Sequence, residues 1–210
     1  VESAFLTGEE SALSARFLKN GYVIVDVESR SALDAIRRVV VGAASKYLGK
    51  ADPPDAPSFL NGIHNAVTPE TLNGLRLAVI EAVRSLPDFR SQYYALARNA
   101  LSALVGSELA MQRGFGLSIQ LPEDESSLLQ LHADVWDGDS PFEVVVWLPL
   151  VDCYATKSMY LVELEFDRPL QAELVSLRPE SAEAIFRAVE DKVRYLEVPY
   201  GKVLLFSQTL

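Results

Sequence analysis

The spacing of apolar residues changes near Gly106, and this change constrains the fold more than any other feature of the chain. Before it, apolar residues recur at helical intervals; after it, they gather in short β-branched runs separated by turn residues. Ser31 to about Leu48 places Leu33, Ile36, Val39, Val40, Ala43, Ala44 and Tyr47 on a helical period, and Gly49 stands where such a helix stops. Thr68 and Pro69 form the cap and first-turn proline of a second helix, which carries Leu72, Leu75, Leu77, Val79, Ile80 and Val83. Pro87 breaks it, and a third helix is predicted from about Asp88 to Val105. One strand, Gly21 to Val27, precedes these helices, and the Pro- and Asp-rich stretch from Ala51 to Gly62 reads as a loop.

Beyond Gly106 the predicted strands are Phe115–Leu121, Val144–Val151, Met159–Leu164 and Gly201–Ser207, with one amphipathic helix from Pro179 to about Tyr195. Helices first and short strands later give an α+β, mainly β expectation. Helices in about 1–108 pack around a β-sandwich or jelly roll in about 109–210. A chain of 210 residues suffices for one substantial core, so a single domain is expected.

The net charge of −10 argues against nucleic acid, whose phosphates need clustered Lys and Arg, and against an anionic membrane surface. Cys153 is the one cysteine, which excludes an intrachain disulfide and a Cys-cluster metal site and fits a reducing compartment. The start shows no basic segment followed by an apolar one, and no apolar run approaches the roughly 20 residues that span a bilayer. The expectation is a soluble cytoplasmic protein.

Chemistry concentrates at His132-Ala133-Asp134. The chain has two histidines, and the other, His64, lies far upstream in a polar loop. Residues i and i+2 of an extended chain point to one side, so imidazole and carboxylate can reach one metal ion. They would supply two-thirds of a 2-His-1-carboxylate facial triad. The alternative is an aspartate that fixes a structural histidine by a hydrogen bond. Alternation also places Ser118 and Gln120 on one face of their predicted strand, either lining a cavity or facing solvent.

The stretch from Met111 to Tyr160 resembles the phytanoyl-CoA-dioxygenase-like branch of the Fe(II)/2-oxoglutarate oxygenases. It looks closest to the group found in carbohydrate and aminoglycoside biosynthetic clusters. The matching words are Leu117-Ser118-Ile119-Gln120, Ser126-Ser127-Leu128-Leu129, His132-Ala133-Asp134-Val135-Trp136 and Gly138-Asp139-Ser140-Pro141-Phe142-Glu143. They continue in Trp147-Leu148-Pro149-Leu150-Val151-Asp152 and Thr156-Lys157-Ser158-Met159-Tyr160, with a weaker match at Leu72-Asn73-Gly74-Leu75-Arg76.

The resemblance implies a double-stranded β-helix with His132 and Asp134 as catalytic iron ligands. Trp147, Ser118, Gln120 and Ser158 are then expected near the 2-oxoglutarate cosubstrate, with Lys157 able to face the same cavity. Trp136, Asp137 and Asp139 stand at the cavity mouth, where acceptors and an indole face suit a sugar-like substrate; His64 is a further substrate-pocket candidate. The same resemblance puts the third ligand, a distal histidine, within a few residues of the Val203–Ser207 strand, followed by a basic residue for the cosubstrate carboxylate. Both positions fall past Leu210. The expectation is a segment outside this sequence that carries them, and the alternative is a truncated, impaired protein. The implied activity is dioxygenation of a carbohydrate-like or aminoglycoside-like small molecule with Fe(II), 2-oxoglutarate and O2, conditional on that histidine. Homo-oligomerisation is compatible with this reading. The other readings are a non-catalytic carbohydrate-binding module on the same barrel and a cupin-type metal-dependent isomerase or hydrolase.

Overall fold

A computed structural model describes residues 5–124, 131–136, 138–177 and 182–208. The chain divides into two compact units, one of Val1–Asp26, Asn99–Ser107 and Leu129–Leu210, the other of Val27–Arg98 and Glu108–Leu128.

The first unit opens with helix α1 (Gly8–Asn20), whose start is fixed by a capping box between Thr7 and Glu10. Gly21 ends it in the left-handed conformation at φ 77°, and β1 (Tyr22–Asp26) follows at once. The strand therefore starts one residue later than its apolar pattern suggests, because Gly21 serves the helix. Strands β2 (Val144–Trp147) and β5 (Lys202–Ser207) join β1 in a three-stranded antiparallel sheet with β5 in the centre. Strands β3 (Tyr160–Val162) and β4 (Val193–Tyr195) make a second, two-stranded antiparallel sheet.

Register decides which side chains meet. Tyr22, Phe206 and Val145 form one cross-strand row, and Ile24, Leu204 and Trp147 the next. That face packs on Leu161 of β3 and on Leu196 and Val198 beyond β4. The other face of the small sheet, through Val162 and Val193, packs on Phe166 and Leu170 of α7 (Leu164–Leu177) and on Ile185 and Val189 of α8 (Ala182–Val189). Val203, Leu204 and Leu205 are wholly buried, as an apolar run in a central strand requires.

The second unit is helical. In α2 (Arg30–Tyr47) the predicted stripe holds, with Leu33, Ile36, Val40 and Ala44 buried. It packs on α4 (Pro69–Arg84), α5 (Phe89–Tyr94) and the short α3 (Ala56–Asn61). In α4 Leu72, Leu75, Val79 and Val83 face inward, whereas Leu77 is exposed, being off their i, i+3, i+4 stripe.

Several expected elements are corrected. The predicted helix from Asp88 to Val105 is two helices, α5 and α6 (Arg98–Val105), separated where Leu96 and Ala97 donate three residues back instead of four. The strand from Val144 stops at Trp147, just before Pro149, which has no amide hydrogen to give a ladder. Met159–Leu164 shortens to β3, and Leu164 already begins α7. The helix expected over Pro179–Tyr195 ends at Val189, and its last residues form β4. Phe115–Leu121 alternates between inward and outward residues as predicted, yet pairs with no strand among the described residues. The guanidinium of Arg76 donates to the Ile119 carbonyl, so a side chain takes an acceptor a ladder would have used; just upstream, that of Arg90 donates to the Met111 carbonyl at 2.6 Å.

The chain is thus α+β, as expected, but not mainly β: among the described residues helix predominates and the strands are short. Among the described residues the strands form two facing antiparallel sheets and do not close into a barrel. The physical reason is the shortness of the strands and the absence of a ladder along Phe115–Leu121.

Candidate functional site

His132 and Asp134 sit on a short turn ahead of β2. Ala133, between them, is buried and pins the chain, while its neighbours keep 41% and 35% of their side chains exposed. The imidazole Nε2 lies 3.6 Å from Asp134 Oδ1. Asp134 begins a single 3-10 turn to Trp136, closed by the Trp136 amide on the Ala133 carbonyl at 2.8 Å. The Asp139 amide returns to the Asp134 carbonyl at 3.3 Å, and Gly138 permits that return at φ 105°.

The turn is held from α7. Trp136 Nε1–H donates to Gln171 Oε1 at 3.2 Å, and Gln171 Nε2–H donates to Asp167 Oδ1 at 3.1 Å. Asp167 is 4% exposed, and burial pushes its carboxyl above the usual range, against the smaller opposing effect of the Gln171 bond. Neither residue is a sequence-predicted site residue. Their i, i+4 spacing is a legible helix-face pair, but Pro169 between them masks the helix.

The ionised Asp167 pays for its burial in the native chain only, so this group's destabilising effect is full above its raised native pKa. The effect fades as pH falls through that value towards the ordinary range near 3.8. Asp167→Asn keeps an acceptor for Gln171 and carries no charge. Its urea midpoint should exceed that of the parent at pH 7, with the gap narrowing on acidification; a gap constant with pH would refute the assignment.

The other predicted residues are distributed as follows. Trp147 is half-buried in the cluster with Met159 and Leu161. Ser158 is buried, and its hydroxyl has no hydrogen-bond partner among the described residues. Lys157 Nζ lies 5.4 Å from the centre of the Tyr154 ring, a cation–π contact. Asp139 is exposed. Ser118 and Gln120 share one side of their extended segment, as alternation predicts, and that side is the exposed one. They belong to the second unit, as does His64, which is exposed on the 3-10 turn Ile63–Asn65. Asp137 lies outside the described residues, as do Ser126, Ser127, Leu128 and Leu129.

The structure thus brings together His132, Asp134, Trp136 and Asp139, with Gln171 and Asp167 beneath them. An imidazole nitrogen and a carboxylate oxygen are a donor pair that suits Fe(II). Among the described residues no group of three or more His, Cys, Asp or Glu side chains could hold a metal ion, so the pair offers two donors and no third. Cys153 is no substitute: burial raises its thiol pKa and disfavours the thiolate. Among the described residues no helix is long and apolar enough to cross a membrane. No protein-family model, curated protein or solved structure matches the chain.

Proposed function

We propose that this chain is the core of an Fe(II)- and 2-oxoglutarate-dependent dioxygenase that oxidises a sugar-like small molecule in a reducing, cytoplasmic compartment. The observation that carries the reading is the His132–Asp134 pair, with nitrogen and oxygen donors 3.6 Å apart on a turn that leads into a two-sheet core. The two facing sheets are what part of a jelly roll would look like, which supports the double-stranded β-helix as the parent architecture.

In this reading His132 Nε2 and Asp134 Oδ1 hold the iron, and a distal histidine outside this sequence completes the set. Bound iron and its cosubstrate supply the oxidising power for C–H hydroxylation; the protein binds, orients and excludes water. Trp136 offers an indole face to a sugar ring, its N–H already committed to Gln171. The exposed carboxylate of Asp139 accepts from hydroxyls. An aspartate at position 134 disfavours halogenation, which needs that coordination position for halide.

The two-donor count favours one second reading, a carbohydrate-binding module without turnover. Anaerobic addition of Fe(II) and 2-oxoglutarate separates them. The dioxygenase gives a weak visible charge-transfer band and then, with air and a sugar acceptor, succinate. Sugar binding with neither band nor succinate, in a chain extended past Leu210, supports the module and sinks the dioxygenase.

A further inference from the structure

Read in either direction, the segment Phe115-Gly116-Leu117-Ser118-Ile119-Gln120-Leu121 has the same pattern: apolar residues alternate with small or polar ones about Ser118. Exposure follows the pattern. Gly116, Ser118 and Gln120 are exposed, Phe115, Leu117 and Ile119 are half-buried, and Leu121 is buried. The inner side is anchored within the second unit, where the Phe115 ring lies 4.9 Å from that of the buried Phe89.

The two edges of this extended segment differ. Successive residues of an extended chain turn their amide and carbonyl groups to opposite edges. The Ile119 carbonyl, on the odd-numbered edge, accepts from Arg76. Gly116, Ser118 and Gln120 supply the other edge, and among the described residues their backbone groups make no hydrogen bond. A Cβ built on Gly116 would meet nothing within 4 Å, so this side has open space beside it. An unpaired edge of this kind is a template for a further strand.

The ends of the segment carry opposite charges. Arg113 and Glu123 stand equally far from Ser118 in the sequence, and neither has an ion-pair partner among the described residues. An antiparallel twofold axis through Ser118 therefore brings Arg113 of each copy to Glu123 of the other. It also sets Gly116 against Gln120 and Ser118 against Ser118 as hydrogen-bonded pairs, with Leu117 against Ile119 between them on the apolar side. Each part of the pattern meets its complement, as an isologous interface requires.

We propose that two copies of this chain associate by pairing Phe115–Leu121 antiparallel with itself along the Gly116–Ser118–Gln120 edge. The interface lies wholly within the second unit and rests on neither His132 nor Asp134. One strand pair is a small interface, so a dissociation constant on the order of 10–100 μM is expected.

Sedimentation velocity of the full chain from about 5 to 500 μM should show monomer giving way to dimer. Arg113→Glu and Glu123→Arg should each weaken association by about tenfold, because symmetry doubles the repulsion, and the two together should restore it. Helix content by circular dichroism should stay at the parent value in all three. In a Cys153→Ala background, Ser118→Cys should give a disulfide-linked dimer on mild oxidation, since the Cα atoms of a hydrogen-bonded pair lie about 5.5 Å apart, within disulfide reach. Gln120→Cys should not, because it faces Gly116 of the second copy and not itself. A chain that stays monomeric over that concentration range, or a dimer that both charge reversals leave intact, overturns the proposal. Crosslinking at Gln120→Cys as readily as at Ser118→Cys overturns the register.

Discussion

Leu204→Ala should destabilise the first unit by about 2–5 kcal/mol, the range for truncating a buried leucine that leaves a cavity. Leu204 is wholly buried in the central strand, between Ile24 and Trp147, and its face meets Leu161, Leu196 and Val198. A cavity there removes contacts from both sheets at once, and two short antiparallel strands cannot close over it. The loss is a large fraction of the roughly 5–15 kcal/mol that holds a typical domain. The measurement has a convenient probe, because the two tryptophans, Trp136 and Trp147, both lie in the first unit. Tryptophan fluorescence in urea therefore follows that unit alone. Leu77→Ala, at 58% exposure in the second unit, is the control and should leave this transition in place. A shift below about 1 kcal/mol for Leu204→Ala would show that the two sheets do not share a core.

Much of the fold was legible wherever a local rule decides the outcome. The α2 and α4 stripes, the Thr68-Pro69 start and the apolar run of β5 each follow from residues close together in the chain. Where tertiary structure overrides, the residues mislead. Phe115–Leu121 alternates like a strand, but Arg76 of α4 occupies its Ile119 carbonyl, and nothing local announces that. Helix α7 hides behind Pro169, and α1 has only Leu13 buried, so its periodic signal is faint. The Thr7/Glu10 capping box was the sign of α1 that apolar spacing alone does not register. The candidate site divides the same way. His132 and Asp134 meet because they are two residues apart, whereas Trp136 and Gln171 meet across 35 residues through a helix the pattern does not reveal.

His132→Ala should abolish specific binding of Fe(II), or of Co(II) as an air-stable probe. On the proposed reading His132 and Asp134 are the two donors among the described residues, so removing one leaves a single carboxylate, which holds a divalent cation no better than any surface aspartate. Loss of an outer hydrogen-bonding partner alone costs metal sites about 10–100-fold, and loss of a ligand should reach at least the upper end. The imidazole is 41% exposed and belongs to neither of the two apolar clusters described above, so the variant should keep the parent's urea transition and separate metal loss from unfolding. Gln171→Leu provides the graded comparison. It removes the acceptor for the Trp136 indole without touching either donor, and so tests whether α7 holds the turn in its binding geometry. An intermediate loss is expected there. Full metal affinity in His132→Ala would move the metal centre elsewhere and end the dioxygenase reading. Full affinity in Gln171→Leu would leave that reading standing and reduce the Trp136–Gln171–Asp167 chain to packing.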